Sequence, residues 1–186
     1  MGRMQSDCAC RADLRNAATA ALAATTLAAC SPTLNWREAR PEGSGAIVMF
    51  PCRPQQQQRD VTLTGSVVAM RMNACSAGGA NFAVATLDAG DPRRVTPELA
   101  ALRSQLLVNL SAASAEQRPL AVAGATPNPE SVRLHAVGKR PDGSRVVADG
   151  AFFVKGLTLY QATVLAGDDG PGREAVDTFF GAIRLP

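Results

Sequence analysis

Residues 145–154 and 157–165 are two apolar stretches rich in Val, Phe, Thr and Leu, and only Lys155-Gly156 lies between them. Two strands this close in sequence must pair antiparallel, because a parallel pair needs a crossover of a dozen residues or more. The chain is therefore committed to an antiparallel sheet. Other segments extend it. Residues 46–50 form a short apolar run ended by Pro51, which reads as a buried strand. Residues 61–64 alternate up to Gly65, and residues 67–75 alternate again with Val68, Met70, Met72 and Ala74 on one face. Residues 81–87 follow a turn at 76–79, and residues 133–139 run into the turn Pro141-Asp142-Gly143. Residues 53–59, with four glutamines, read as a polar loop.

Two segments break the twofold period. Thr96-Pro97-Glu98 looks like a helix start: Thr as cap, Pro in the first turn and Glu at the positive end of the dipole. Leu99, Leu102, Leu106 and Leu110 then form one apolar stripe over residues 96–111. Residues 171–181 form a second helix, with Val176, Phe179, Phe180 and Ile183 at helical spacing. The order is strands, helix, strands, helix. The expected class is α+β, an antiparallel sheet with two main helices packed on it.

Upstream lies a different kind of segment. Arg3, Arg11 and Arg15 precede an apolar run over residues 17–29, which ends in Leu27-Ala28-Ala29-Cys30. This is the layout of a secretory signal, and the tetrapeptide resembles a bacterial lipobox. The expected organisation is a lipoprotein signal peptide over 1–29, a lipid-anchored tether over 30–44, in which Leu34-Asn35-Trp36 reads as a short strand or an aromatic plug laid on the domain surface, and a single α+β domain over 45–186. The length of the n-region, with Asp7 and Asp13 in it, places the expected start at Met4 or later. Cys30 is the expected lipidation site, carrying diacylglycerol and an N-acyl chain of the palmitate kind. Cys8 and Cys10 leave with the leader. In the lipoproteins this segment resembles, aspartate after the cysteine favours inner-membrane retention. Ser31 stands there instead, which implies an outer-membrane lipoprotein facing the periplasm.

Without its leader the chain changes from a net charge of +3 to +2, close to neutral. No basic stripe interleaved with aromatics argues for nucleic acid. Cys52 and Cys75 remain, and in an oxidising compartment two leftover cysteines are expected to pair. His135 is the sole histidine and falls in a strand pattern. No nucleophile elbow, zinc-binding helix motif, phosphate loop or calcium loop is present. Asp88, Asp91, Asp168 and Asp169 sit beside Gly or Pro, where turn chemistry accounts for them. No catalytic residue, cofactor or metal site is expected. The loop Thr126-Pro127-Asn128-Pro129 stands out, because two prolines stiffen it and Asn128 has an amide to offer a partner.

The C-terminal half carries a resemblance. The strand containing Tyr160-Gln161-Ala162-Thr163-Val164, followed by a helix ending Phe179-Phe180-Gly181-Ala182-Ile183, looks like the end of PsbP-like domains and their bacterial relatives. Ala182 stands where that family often has serine. The strand ending Phe50-Pro51, with Pro54 after it, fits the family's N-terminal part. A closer likeness is to proteobacterial lipoproteins of unknown function, through Asn35-Trp36-Arg37, Phe50-Pro51-Cys52, Cys75-Ser76-Ala77-Gly78-Gly79 and Thr126-Pro127-Asn128-Pro129. The resemblance implies a non-enzymatic binding or assembly module, held to the membrane by lipid, with an envelope protein as its candidate partner. The alternative is a carrier of a small apolar ligand or lipid, in a pocket between sheet and helices lined by Met70, Met72, Phe82 and Phe152.

Overall fold

A seven-stranded antiparallel sheet forms the middle layer of the protein, whose structure, a computed structural model, describes residues 33–186. A short ribbon comes first: β1 (Arg37–Ala39) pairs antiparallel with β2 (Val48–Phe50). The main sheet follows with β3 (Gln55–Leu63), β4 (Ser66–Ala77), β5 (Ala80–Asp88), β6 (Ala115–Pro119), β7 (Val132–Lys139), β8 (Arg145–Lys155) and β9 (Thr158–Ala166). Their spatial order is β3-β4-β5-β9-β8-β7-β6. Helix α1 (Pro92–Asn109) connects β5 to β6, and α2 (Arg173–Gly181) follows β9. The α+β class expected from the sequence is the class observed.

The sheet has a core on each face. Leu99, Leu102 and Leu106 of α1 pack with Leu87, Leu134, Phe152 and Leu159 on one side. Val176, Phe179 and Phe180 of α2 pack with Phe50, Phe82, Phe153 and Tyr160 on the other. Neighbours in sequence alternate between the two cores: Phe152 and Leu159 serve the first, Phe153 and Tyr160 the second. Both faces are covered over β5, so its residues 82–87 are all buried and its sequence reads as a continuous apolar run rather than an alternation. Edge-on aromatic contacts join Phe179 to Phe50, Phe82 and Phe180.

Three expectations change. Residues 53–59 are no loop, because most of them belong to β3. This strand lies at the sheet edge with Gln55 to Asp60 all exposed, and a strand wet on both faces carries no alternating signal. Helix α1 begins four residues before Thr96. Asp91 is its N-cap, accepting the Arg93 N–H at 2.8 Å, and Pro92 occupies the first turn. Thr96 and Pro97 therefore lie inside the helix, and Glu98 is buried beside Arg94 rather than at the dipole end. Lastly, the folded unit begins well before residue 45. Asn35 N–H donates to the Pro51 carbonyl at 2.8 Å, and Trp36 packs edge-on against Phe82 at 6.2 Å. Ser44 is buried, and its carbonyl accepts from the Tyr160 hydroxyl. The stretch expected to be a tether up to residue 44 is thus part of the fold from Asn35 onward.

Cys52 and Cys75 form a disulfide, with their Cα atoms 5.9 Å apart. It fastens the chain after β2 to β4, so that the β1–β2 ribbon is clamped to the sheet. Residues 1–32, with Cys30, the signal segment, Cys8 and Cys10, lie outside the described residues. No helix among the described residues is long and apolar enough to cross a membrane.

Candidate binding site

Two adjoining depressions lie beside β6, the other edge of the sheet. The first is an apolar cleft of about 450 Å³. Its walls are the end of β6 and the loop 120–131, with Leu120, Val122, Pro127, Pro129 and Phe153 among its apolar lining. The second is a polar groove of about 490 Å³ between β6, β7, Asp149 of β8 and the first turns of α2. Gln117 and Arg118 line both.

The loop around Asn128 is built as a rigid wall. Thr126 N–H donates to Val154 O at 2.8 Å, and Thr126 Oγ1 accepts the Gly156 N–H at 3.0 Å. The Asn128 side chain donates to Thr96 Oγ1 at 2.9 Å and accepts the Glu130 N–H at 2.9 Å. Its amide is engaged within the protein, not offered outward as the sequence suggested. What the loop presents to the cleft is its prolines.

The groove has a charged interior created by strand register. Arg133 and His135 alternate with the core residues Leu134 and Ala136, so both point away from α1. Register sets Arg118 opposite Arg133, Glu116 opposite His135, and Asp149 opposite His135 on the other flank. His135 Nδ1 lies 3.3 Å from Asp149 Oδ1. Arg133 is 8% exposed at the side chain, and its guanidinium carbon sits 3.2 Å from the centre of the Phe180 ring. Desolvation pulls the Arg133 guanidinium below its usual pKa; Asp149 and Asp177 oppose that pull and Arg118 adds to it. A histidine held by a carboxylate can relay a proton. The residues lining this groove include no hydroxyl or thiol for His135 to activate.

The four residues expected to line an apolar pocket do not meet. Met70, Met72 and Phe152 lie on the α1 side of the sheet, whereas Phe82 lies on the α2 side. The alternation that separates Phe152 from Phe153 also divides this set, and Met70, Phe82 and Phe152 are all buried in the packed cores. Asp88 and Asp91 act locally, as expected: Asp88 accepts from Gly90 N–H at 2.8 Å and Asp91 caps α1. No group of three metal-ligating side chains occurs among the described residues. The groove was partly legible in sequence, since the i, i+2 spacing of Arg133 and His135 puts them on one face. Asp149, Asp177 and Arg173 join them only through register and packing. No protein-family model matches the chain, and no curated protein matches it in sequence.

Proposed function

We propose that this chain is a lipid-anchored module of the bacterial cell envelope that binds a partner without chemical turnover. Its binding surface is the pair of depressions along β6. The observation that carries the reading is their adjacency. An apolar cleft and a charged groove share Gln117 and Arg118. Apolar surface for affinity beside a few polar groups for orientation is the usual make-up of a binding site. The Cys52–Cys75 disulfide supports an oxidising compartment such as the periplasm. A PsbP-like fold is supported by the antiparallel sheet between α1 and α2, and by the burial of Phe179 and Phe180 at the end of α2.

The test has two parts. The intact mass of the protein from its native membrane fraction should match residues 30–186 plus acyl chains, with Cys52 and Cys75 unlabelled until reduction. A photo-crosslinker at Gln117 should then capture an envelope protein, while one at exposed Val67 on the distant β3–β4 hairpin should not. An unprocessed chain would overturn the address. Equal capture from both positions would overturn the site. Lipid co-purifying with the protein and released by bulky substitutions at Val122 would turn the reading to an apolar-ligand carrier.

A further inference from the structure

We propose that the polar groove is an oxyanion site that takes the carboxylate or phosphate group of a ligand; this rests on the reading of the depressions as a binding surface. Two independent features of the groove converge on an absent acceptor.

The first is Arg133. Its side chain is more than nine-tenths buried, and its Nε is enclosed with no hydrogen-bond partner. The carboxylates nearest its Nη2 stand off, Asp149 at 3.6 Å and Asp177 at 4.0 Å, beyond hydrogen-bond length. Asp149 is also shared with His135. Asp177 is 55% exposed and held only loosely. A guanidinium offers five donors in a planar fork, which matches a carboxylate or phosphate. This one is nearly out of water, and its Nε has no acceptor.

The second is the start of α2. Gly172 caps it without any side chain, so no side chain accepts from its first amides. The first turns of this helix form the groove wall through Pro171, Arg173, Val176 and Asp177. Free amides and the positive dipole end at a helix N-terminus favour an anion.

The charge pattern agrees. Arg118 faces Arg133 directly across β6 and β7, and like charges in register disfavour the pair unless something negative lies between them. Neither Arg118 nor Arg173 forms an ion pair among the described residues. The acidic groups on the groove are Glu116, Asp149 and Asp177. Glu116 is set opposite His135, and Asp149 is divided as above. Asp177 is the group an incoming oxyanion would displace, taking its place between Arg133 and the helix start.

That geometry gives a test with opposite signs. The protein purified from its membrane fraction is titrated calorimetrically with inorganic phosphate and, separately, with acetate. Saturable binding of at least one is expected, and the tighter of the two names the chemistry. Arg173→Gln should weaken it about twofold to fivefold, and Asp177→Asn should strengthen it by a similar factor. Both positions are solvent-exposed or nearly so, and unchanged near-ultraviolet circular dichroism confirms the fold. No saturable binding of either probe overturns the inference. So does weakening by Asp177→Asn, which would show that the anion does not take the place of Asp177, or binding indifferent to both variants, which would place the anion elsewhere. Capture of a partner at Gln117 together with no anion binding would leave the binding module standing and remove only the oxyanion site.

Discussion

Tyr160 shows how much a single polar atom does in this fold. Its ring stacks on Phe153 at 4.9 Å, and its hydroxyl donates to the Ser44 carbonyl across the second core. That bond ties residues ahead of β2 to the central strand β9, and burial raises the phenol pKa above its ordinary value. Tyr160→Phe keeps the packing and strands the carbonyl. It should lower stability by about 1 kcal/mol in urea unfolding. Asp91 gives the residue-scale pH dependence. The Arg93 side chain, and then the Arg93 backbone N–H, hold its carboxyl below the usual range. Because its folded pKa lies below its unfolded one, the stabilisation is present above the unfolded value of about 3.9 and is lost as pH falls through the folded pKa. Asp91→Ala should therefore lower the urea midpoint at neutral pH, with the difference closing in acid. A carboxyl-carbon NMR titration should place the Asp91 midpoint below that of a free aspartate.

At the scale of elements, the disulfide is the joint most open to test. The β1–β2 ribbon is only three residues deep on each side. It stays on the domain through Val48 and Phe50 in the second core, the Cys52–Cys75 bridge, Trp36 against Phe82, and the bridge from Ile47 to Arg184 of the C-terminal segment. Replacing both cysteines by alanine should cost roughly 3 kcal/mol on the loop-entropy account. Amide exchange should speed up first in β1 and β2, with β5 and β9 the last to open; uniform acceleration would show that the ribbon is no separate unit. The same scale explains what the sequence could and could not tell. β7 and α2 were legible because each has one dominant period, and β8 and β9 because each is an apolar run with a clear stop. The start of α1 was not, because Asp91-Pro92 and Thr96-Pro97 carry the same cap-then-proline signal, and only the structure shows which one is used. The first part of β3, and all of β6, were hidden for another reason. Both are edge strands with mostly exposed residues, so burial writes no pattern into them. The candidate site lies along β6, which is why sequence reading reached its walls in the 126–129 loop but only the Arg133 and His135 face of the groove.

For the molecule as a whole, the early start of the fold shortens the proposed anchor. A tether over residues 30–44 would leave the domain free to range far from a bilayer. The structure fixes the chain from Asn35, so only five residue steps lead from Cys30 to the first hydrogen bond of the folded unit. Fully extended, they span at most about 18 Å. On the proposed lipid anchor, the domain would be held within its own width of the membrane, and a partner would have to be reachable there. Trp36, the only tryptophan in the chain, reports this directly because it lies one residue beyond Asn35 and is half-buried against Phe82. In vesicles containing a small share of dansyl-labelled lipid, energy transfer from Trp36 should be strong for the protein purified from its membrane fraction. It should fall sharply when a long Gly-Ser segment is inserted after Ser31, and partner capture at Gln117 should fall with it if reach matters to function. Strong transfer from a Cys30→Ser protein would show that the domain meets the membrane by a surface of its own, and the anchor would lose its part in the account.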